Sequence, residues 1–427
     1  MKPEPMLSIK RRFKELYGVD PVIIVSAPGR IDLLNTHQDY KGLPVIGISI
    51  NLRCYVALSI RSDDNVCAFS DNLPGLELRE CKCVFNINEV STSNIERRSF
   101  CNYIMAIYKV LHQELGLSKG LNIYVKSHIP IGAGLGSSAA LEVSLVRAIT
   151  LLFNINMTVK EVAELAYKAE HDIMGIPCGR LDQYSSAYGG ILLINTRPPC
   201  NVERIPFDEG VFVILDSGIR HRTADIHPLR QKEIDEGLNE LLSMNDLPSS
   251  LKAKLGKHYW EPKWELLSED ELIPYIGRLS EVPRKRILFT LKMHKSTLIA
   301  ISTMKGNTPS INKVIEVLDI PKVKVPKLIS RKDVNNKLRI LGLIMNYQHE
   351  LLRDLYDVSL PRIEEIRNAV LNAGALGCKL SGAGLGGSLV ALVSNYEDAW
   401  IVLKEGLNAG AINGWIVKCD QGVKREF

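Results

Sequence analysis

Two stretches of the sequence hold side chains whose types and spacing could do chemistry. The first is Ser26–Gly42, where Arg30, Asp32, Thr36, His37 and Asp39 crowd into ten positions. Polar groups this dense, held between strand-like runs at Val22–Val25 and Val45–Ile60, make a binding-site candidate. A hairpin loop with solvated charges is the plainer account of such a stretch taken alone. The second is Pro130–Ala140, which reads Pro-Ile-Gly-Ala-Gly-Leu-Gly-Ser-Ser-Ala-Ala. Gly132, Gly134 and Gly136 have no Cβ, so the backbone can come close to a ligand, while Ser137 and Ser138 stand where a helix leaves its first N–H groups unpaired. Free N–H groups at the positive end of a helix dipole bind anions, phosphate most commonly. A tight connection closed by an N-cap serine is the alternative.

The flanking elements suit a phosphate loop. Leu121–Lys126 alternates apolar and polar residues as a half-buried strand does, and Ser137–Phe153 is rich in Ala and Leu without Pro or Gly, as a buried helix is. A Walker A loop would need Lys and then Ser or Thr after its last glycine, and Ser137-Ser138 do not supply them. Gly382–Gly387 matches the dinucleotide spacing GxGxxG, but Ser388–Val393 after it reads as a strand where that motif requires a helix. Thr158–Met174 has helical spacing with Glu170 late in it. A carboxylate gains nothing from the dipole at that end, so Glu170 is a ligand candidate. Cys178-Gly-Arg-Leu-Asp-Gln183 opens the next turn, Tyr184–Ala187 reads as helix and Ile191–Ile194 as strand. Val211–Leu215 is an apolar run ending in Asp216-Ser-Gly-Ile-Arg-His221. Helical patterns follow at Leu7–Tyr17, Arg230–Leu242, Ile287–Met304 and Arg339–Leu355. A basic connection broken by Pro309, Pro321 and Pro326 occupies about 307–336, its lysines read as a solvated face.

The chain of 427 residues suggests two domains. Its nine cysteines are odd in number and lack a CxxC pair, so reduced thiols are expected rather than a zinc site or a disulfide framework. Met1–Phe13 has no apolar core of a secretory signal, and Leu141–Phe153 is too short and too interrupted by Glu142 and Arg147 to span a bilayer. The net charge of +5 suits an anionic nucleotide without the dense basic stripe of a nucleic-acid binder.

Three separated motifs together resemble the signatures of the GHMP small-molecule kinases: Pro28-Gly-Arg with His37-Gln-Asp-Tyr40, then Pro130 through Ala140, then Lys379-Leu-Ser-Gly-Ala-Gly-Leu-Gly-Gly387. The first of them, with Cys178–Gln183 and Asp216–His221, resembles the galactokinase branch. The resemblance implies a two-domain α/β (α+β) fold. Residues 1–205 would form a domain like the second domain of ribosomal protein S5, and 206–427 a ferredoxin-like domain, with the site between them. It implies ATP, magnesium and phosphorylation of the anomeric hydroxyl of galactose or a galactose-like sugar. By position, Asp182 matches the catalytic base and Arg30 the cation that orients it. Ser138 and Glu170 match magnesium ligands. Gly132, Gly134, Leu135, Gly136, Ser137 and Ser138 match the ATP phosphate loop, and Phe100–Tyr103 stands where adenine contacts are expected. Thr36, His37, Asp39, Gly179 and His227 fall at sugar contacts. The expected partners are a small sugar and ATP, with no nucleic acid and no membrane, in a cytoplasmic monomer or homodimer.

Two positions depart from that branch. Thr36 stands where a Glu contacts the sugar near C6, and His227 stands where a Tyr is usual. A pocket carboxylate about 4 Å from a substrate carboxylate costs about 4 kcal/mol at an effective dielectric near 20. Thr36 lifts that repulsion, which admits galacturonate beside galactose; L-arabinose, a pentose lacking C6, becomes admissible too, and N-acetylgalactosamine stays open because the sequence does not show the wall near C2. A non-catalytic sugar and ATP sensor is the alternative of a different class, against which Ser137-Ser138-Ala-Ala140 and Asp182 are intact.

Overall fold

The structure is a computed structural model that describes residues 4–72, 82–90, 95, 99–220, 223–321 and 334–427. His221 and positions 322–333 of the basic connection lie outside the described residues. Among the described residues, twelve strands form two sheets. The larger holds β1 (Ile23–Leu34), β2 (Val45–Ile60), β3 (Asn65–Ser70), β4 (Lys82–Asn86), β5 (Leu121–Ser127), β6 (Ile191–Asn195), β7 (Asn201–Arg204) and, from the far end of the chain, β12 (Lys424–Arg425). Its order is β12-β1-β2-β5-β3-β4, with β6 pairing both β2 and β7. The smaller is antiparallel, in the order β11-β8-β10-β9, from β8 (Val211–Asp216), β9 (Gly377–Ser381), β10 (Ser388–Val393) and β11 (Asn413–Val417). These two sheets with their helices give the expected mixed α/β architecture.

Most elements run as their patterns predict, and the differences have physical causes. The polar stretch after Val25 is strand rather than loop: β1 continues to Leu34, and all twelve of its residues are buried, Arg30 and Asp32 included. The turn proper is confined to Asn35–Pro44, between β1 and β2. Polarity misleads here because the charges are paired inside the protein instead of solvated. The helix Ser137–Leu152 lies against β1 and β2 and buries Ala140, Val143, Leu145 and Val146. Its N-cap is Gly136 with φ of 70° and no side-chain cap, so the N-cap serine is not found. The helix Val159–Lys168, started by a Thr158–Glu161 capping box, passes into a wider π turn at Ala169–Ile173.

One expectation is overturned. Cys83 of β4 and Cys101 of the helix Phe100–Leu115 are joined by a disulfide, their Cα atoms 5.1 Å apart. Their spacing of 18 residues carries no motif; strand-on-helix packing brings them together. The chain end was likewise invisible beforehand: Arg53 reaches Asp420 at 2.8 Å and the Gly422 carbonyl at 2.8 Å, drawing the tail onto the first sheet.

Candidate active site

A buried Arg on a buried strand needs acceptors, and Arg30 finds them across the fold. Nε and Nη2 donate to Oδ1 and Oδ2 of Asp182 at 2.8 and 2.6 Å, and Nη1 donates to the Gly134 carbonyl at 2.5 Å. One side chain thus ties β1, the phosphate-loop candidate and the helix Leu181–Tyr188. The backbone makes the same connection, since the Arg30 N–H donates to the Leu135 carbonyl at 2.9 Å. Gly134 has φ of 72°, and a Cβ there would stand 2.8 Å from the Ser381 carbonyl oxygen. Only glycine lets the loop close on the third motif.

Two cavities open on this junction. The larger, about 770 Å³, is lined by the loop from Ile131 to Ser138 together with Lys82, Ser99, Phe100, Tyr103, Gly386 and Gly387. Its volume is in the range of nucleotide-sized ligands. The smaller, about 120 Å³, is lined by Asp32, Thr36, His37, Asp39, Glu170, Cys178, Gly179 and His227. Arg30, Gly134, Ser138, Asp182 and Ala383 line both. A molecule in each would meet at Asp182.

Every site residue expected from sequence lines at least one of these cavities: Gly132, Leu135, Gly136 and Ser137 line only the larger, the five sugar-contact candidates and Glu170 only the smaller, and Arg30, Gly134, Ser138 and Asp182 both. The sugar-side residues are fixed by specific contacts. Asp39 packs on Gly179 so closely that a Cβ at 179 would be 1.8 Å from Oδ2. Burial, with Asp32 and Asp182 nearby, pushes the Asp39 carboxyl up to about 7. His37 is buried, which holds it neutral, with His227 and Lys41 adding to the effect. Its Nε2 donates to the Ala383 carbonyl at 3.0 Å, leaving Nδ1 to accept from the Tyr40 hydroxyl at 3.2 Å. Both ring nitrogens are therefore engaged inside the protein, and His37 offers the cavity its ring rather than a hydrogen bond. Tyr40 in turn meets the Tyr356 hydroxyl at 2.7 Å, anchoring the turn to the second half of the chain. His227 Nδ1 donates to the Pro177 carbonyl at 2.9 Å.

Glu170 sits on the π turn, a local widening common at functional positions, and is 5 % exposed. Gln183 donates to its Oε2 at 2.7 Å and to Glu142 Oε2 at 3.3 Å. Ser138 and Glu170 face one cavity with Asp182, an all-oxygen set of the kind magnesium takes when phosphates and water complete its shell. Among the described residues no cluster of three or more His, Cys, Asp or Glu could hold a metal alone.

Three groups at the site were not singled out from sequence. Gln183 follows the expected base by one residue. Lys379 is fully buried, with Nζ donating to the Asp32 carbonyl, Thr36 Oγ1 and the Leu380 carbonyl at 3.0, 2.8 and 2.8 Å; burial brings it down to about 8. A lysine within the buried strand β9 is the signal that could have marked it. Ser381 accepts from the Asp32 N–H at 3.0 Å, joining β9 to β1.

Comparison with known proteins places these motifs. Residues 102–190 match the GHMP kinases N terminal domain, 327–408 the GHMP kinases C terminal domain, and 11–60 the galactokinase galactose-binding signature. A galactokinase of Roseiflexus sp. (strain RS-1) is 29% identical over 394 residues, covering 90% of this chain and 87% of that one. A galactokinase of Pyrococcus furiosus is 28% identical over 377 residues, covering 87% and 89%. Among solved structures, Lactococcus lactis galactokinase complexed with galactose superposes with a TM-score of 0.77 at 22% identity, covering 98% of this chain and 99% of that one. The mevalonate kinase of Methanococcus jannaschii gives 0.62 at 20% identity, covering 93% and 98%.

Proposed function

Since the chain belongs to the GHMP kinases, in the branch marked by the galactose-binding signature, we propose that it transfers the γ-phosphate of ATP to the anomeric hydroxyl of galactose. The observation that carries this is the junction of the two cavities at Asp182 and Arg30. ATP fills the larger, with its base toward Phe100–Tyr103 and its phosphates on Gly132–Ser138. The sugar fills the smaller, against Asp39 and Gly179.

Phosphoryl transfer passes through a loose transition state, so positioning and charge neutralisation supply most of the catalysis. Asp182 takes the proton of the anomeric hydroxyl as the bond to phosphorus forms; a carboxylate is too weak a base to make a free alkoxide first. Arg30 fixes the orientation of that carboxylate and places positive charge beside the phosphate loop. The unpaired N–H groups at Ser137 and Ser138 hold phosphate oxygens. Ser138 and Glu170 would hold magnesium, which when bound neutralises phosphate charge.

The other sugars and the sensor reading are not favoured, because the relatives of matching length are galactokinases and the phosphate loop and Asp182 are intact. The same reading divides the chain at 205/206. It has ATP and sugar as partners, without nucleic acid or membrane, in a cytoplasmic monomer or homodimer; no helix among the described residues is long and apolar enough to cross a membrane. The test is ADP release with ATP and magnesium across galactose, N-acetylgalactosamine, L-arabinose, galacturonate and glucose. Preference for galactose is the expected result, and turnover on none of them would sink the proposal.

A further inference from the structure

We infer that Asp32 determines sugar specificity: its Oδ1 accepts a hydrogen bond from a sugar hydroxyl other than the one phosphorylated. The inference rests on the sugar-kinase reading above. Asp32 lines the smaller cavity and is 4 % exposed, and its Oδ1 has no hydrogen-bond partner in the protein. A buried carboxylate oxygen left without a donor is rare, and a cavity beside it is where the missing donor belongs.

The neighbours narrow the choice of donor. The Asp32 backbone is fixed by Ser381, which receives its N–H, and by Lys379, which donates to its carbonyl. Lys379 also donates to Thr36 Oγ1. Thr36 Oγ1 is thus engaged as an acceptor by the protein. Beside it, the carboxylate of Asp32 keeps an oxygen with no donor in the protein. A neutral hydroxyl donor satisfies Oδ1.

The experiment is steady-state phosphorylation by the full chain of galactose and its four monodeoxy analogues that keep the anomeric hydroxyl. In the unaltered protein one analogue should lose roughly 10- to 100-fold in kcat/KM, the loss of a hydrogen bond to a charged group. In Asp32→Ala, which removes the acceptor that an Asn would keep, galactose and that analogue should converge to within about threefold while KM for ATP holds. Asp32→Ala with Lys379→Met removes both charges together, and serves if the single variant fails to fold. Unchanged discrimination ratios in the variant overturn the inference, as does an unaltered protein that discriminates against none of the analogues. Those outcomes leave galactose turnover standing; absence of turnover on every sugar instead overturns the kinase reading.

Discussion

Arg30 and Asp182, 152 residues apart in sequence, meet in two parallel hydrogen bonds, with Nε and Nη2 of one facing Oδ1 and Oδ2 of the other. Each carboxylate oxygen keeps a second lone pair, so the pairing orients Asp182 without using up its capacity to accept a proton. Asp182→Asn would put an amide N–H against a guanidinium N–H and remove the acceptor. Its kcat should fall by about 10²- to 10⁴-fold, the usual contribution of a positioned base. ATP affinity, measured by calorimetry, should stay within about twofold, because the phosphate loop is untouched. A variant that keeps kcat would remove Asp182 from the mechanism.

The contact of Gly179 with Asp39 makes a separate prediction. A methyl at 179 would overlap the Asp39 carboxylate, 1.8 Å from Oδ2, and drive it out of its place in the smaller cavity. Gly179→Ala should raise KM for galactose by about tenfold or more, the effect of misplacing a polar group that touches substrate. KM for ATP should change little. Equal losses for both substrates would mean that the whole turn has collapsed.

Asp39 should also set a pH dependence. In the unliganded protein it titrates near 7, against 3.8 for an ordinary Asp, because burial and two neighbouring carboxylates oppose its charge. The raised value means its contribution to stability is full below pH 3.8 and is lost as pH rises through 7. For binding the sign is opposite, since the ionised form is the stronger acceptor of a sugar hydroxyl. The kcat/KM for galactose should climb across pH 7 while that for ATP lacks this step, and Asp39→Asn should flatten the thermal stability of the unliganded protein over the same interval. A galactose profile without a limb near 7 would contradict the assignment.

The glycine loop before the helix Ser137–Leu152 was legible because glycines at alternate positions before an Ala-rich run mark a close backbone approach, and the loop lines the larger cavity. The strand after Gly387 was equally plain and is found as β10, where the dinucleotide motif would need a helix. Arg30 and Asp32 misled on structure, since charge at alternate positions reads as exposure; their partners Asp182 and Lys379 lie in distant segments that no local pattern joins. At Thr36, too, the neighbour Lys379 is out of reach of local pattern, because it comes beside the turn only after β9 packs on β1. The Cys83–Cys101 bond is a third case, invisible until strand and helix are docked. What single residues and their near neighbours encode was readable; what depends on two remote strands sharing a face was not.

Glu170 and Glu142 provide the sharpest test of the magnesium assignment, because both receive a hydrogen bond from the same Gln183 amide. Glu142 is fully buried within the helix Ser137–Leu152 and lines neither cavity, whereas Glu170 lines the smaller one beside Ser138. Glu170→Gln should therefore raise the magnesium concentration for half-maximal rate, by about tenfold for the loss of one charged oxygen ligand. Saturating magnesium should recover part of the rate. Glu142→Gln perturbs the same amide from the opposite side, so its magnesium titration should match that of the unaltered protein even if its stability falls. Identical shifts in the two variants would show that Gln183 merely carries a structural disturbance, and Glu170 would then be a buried structural carboxylate rather than a ligand.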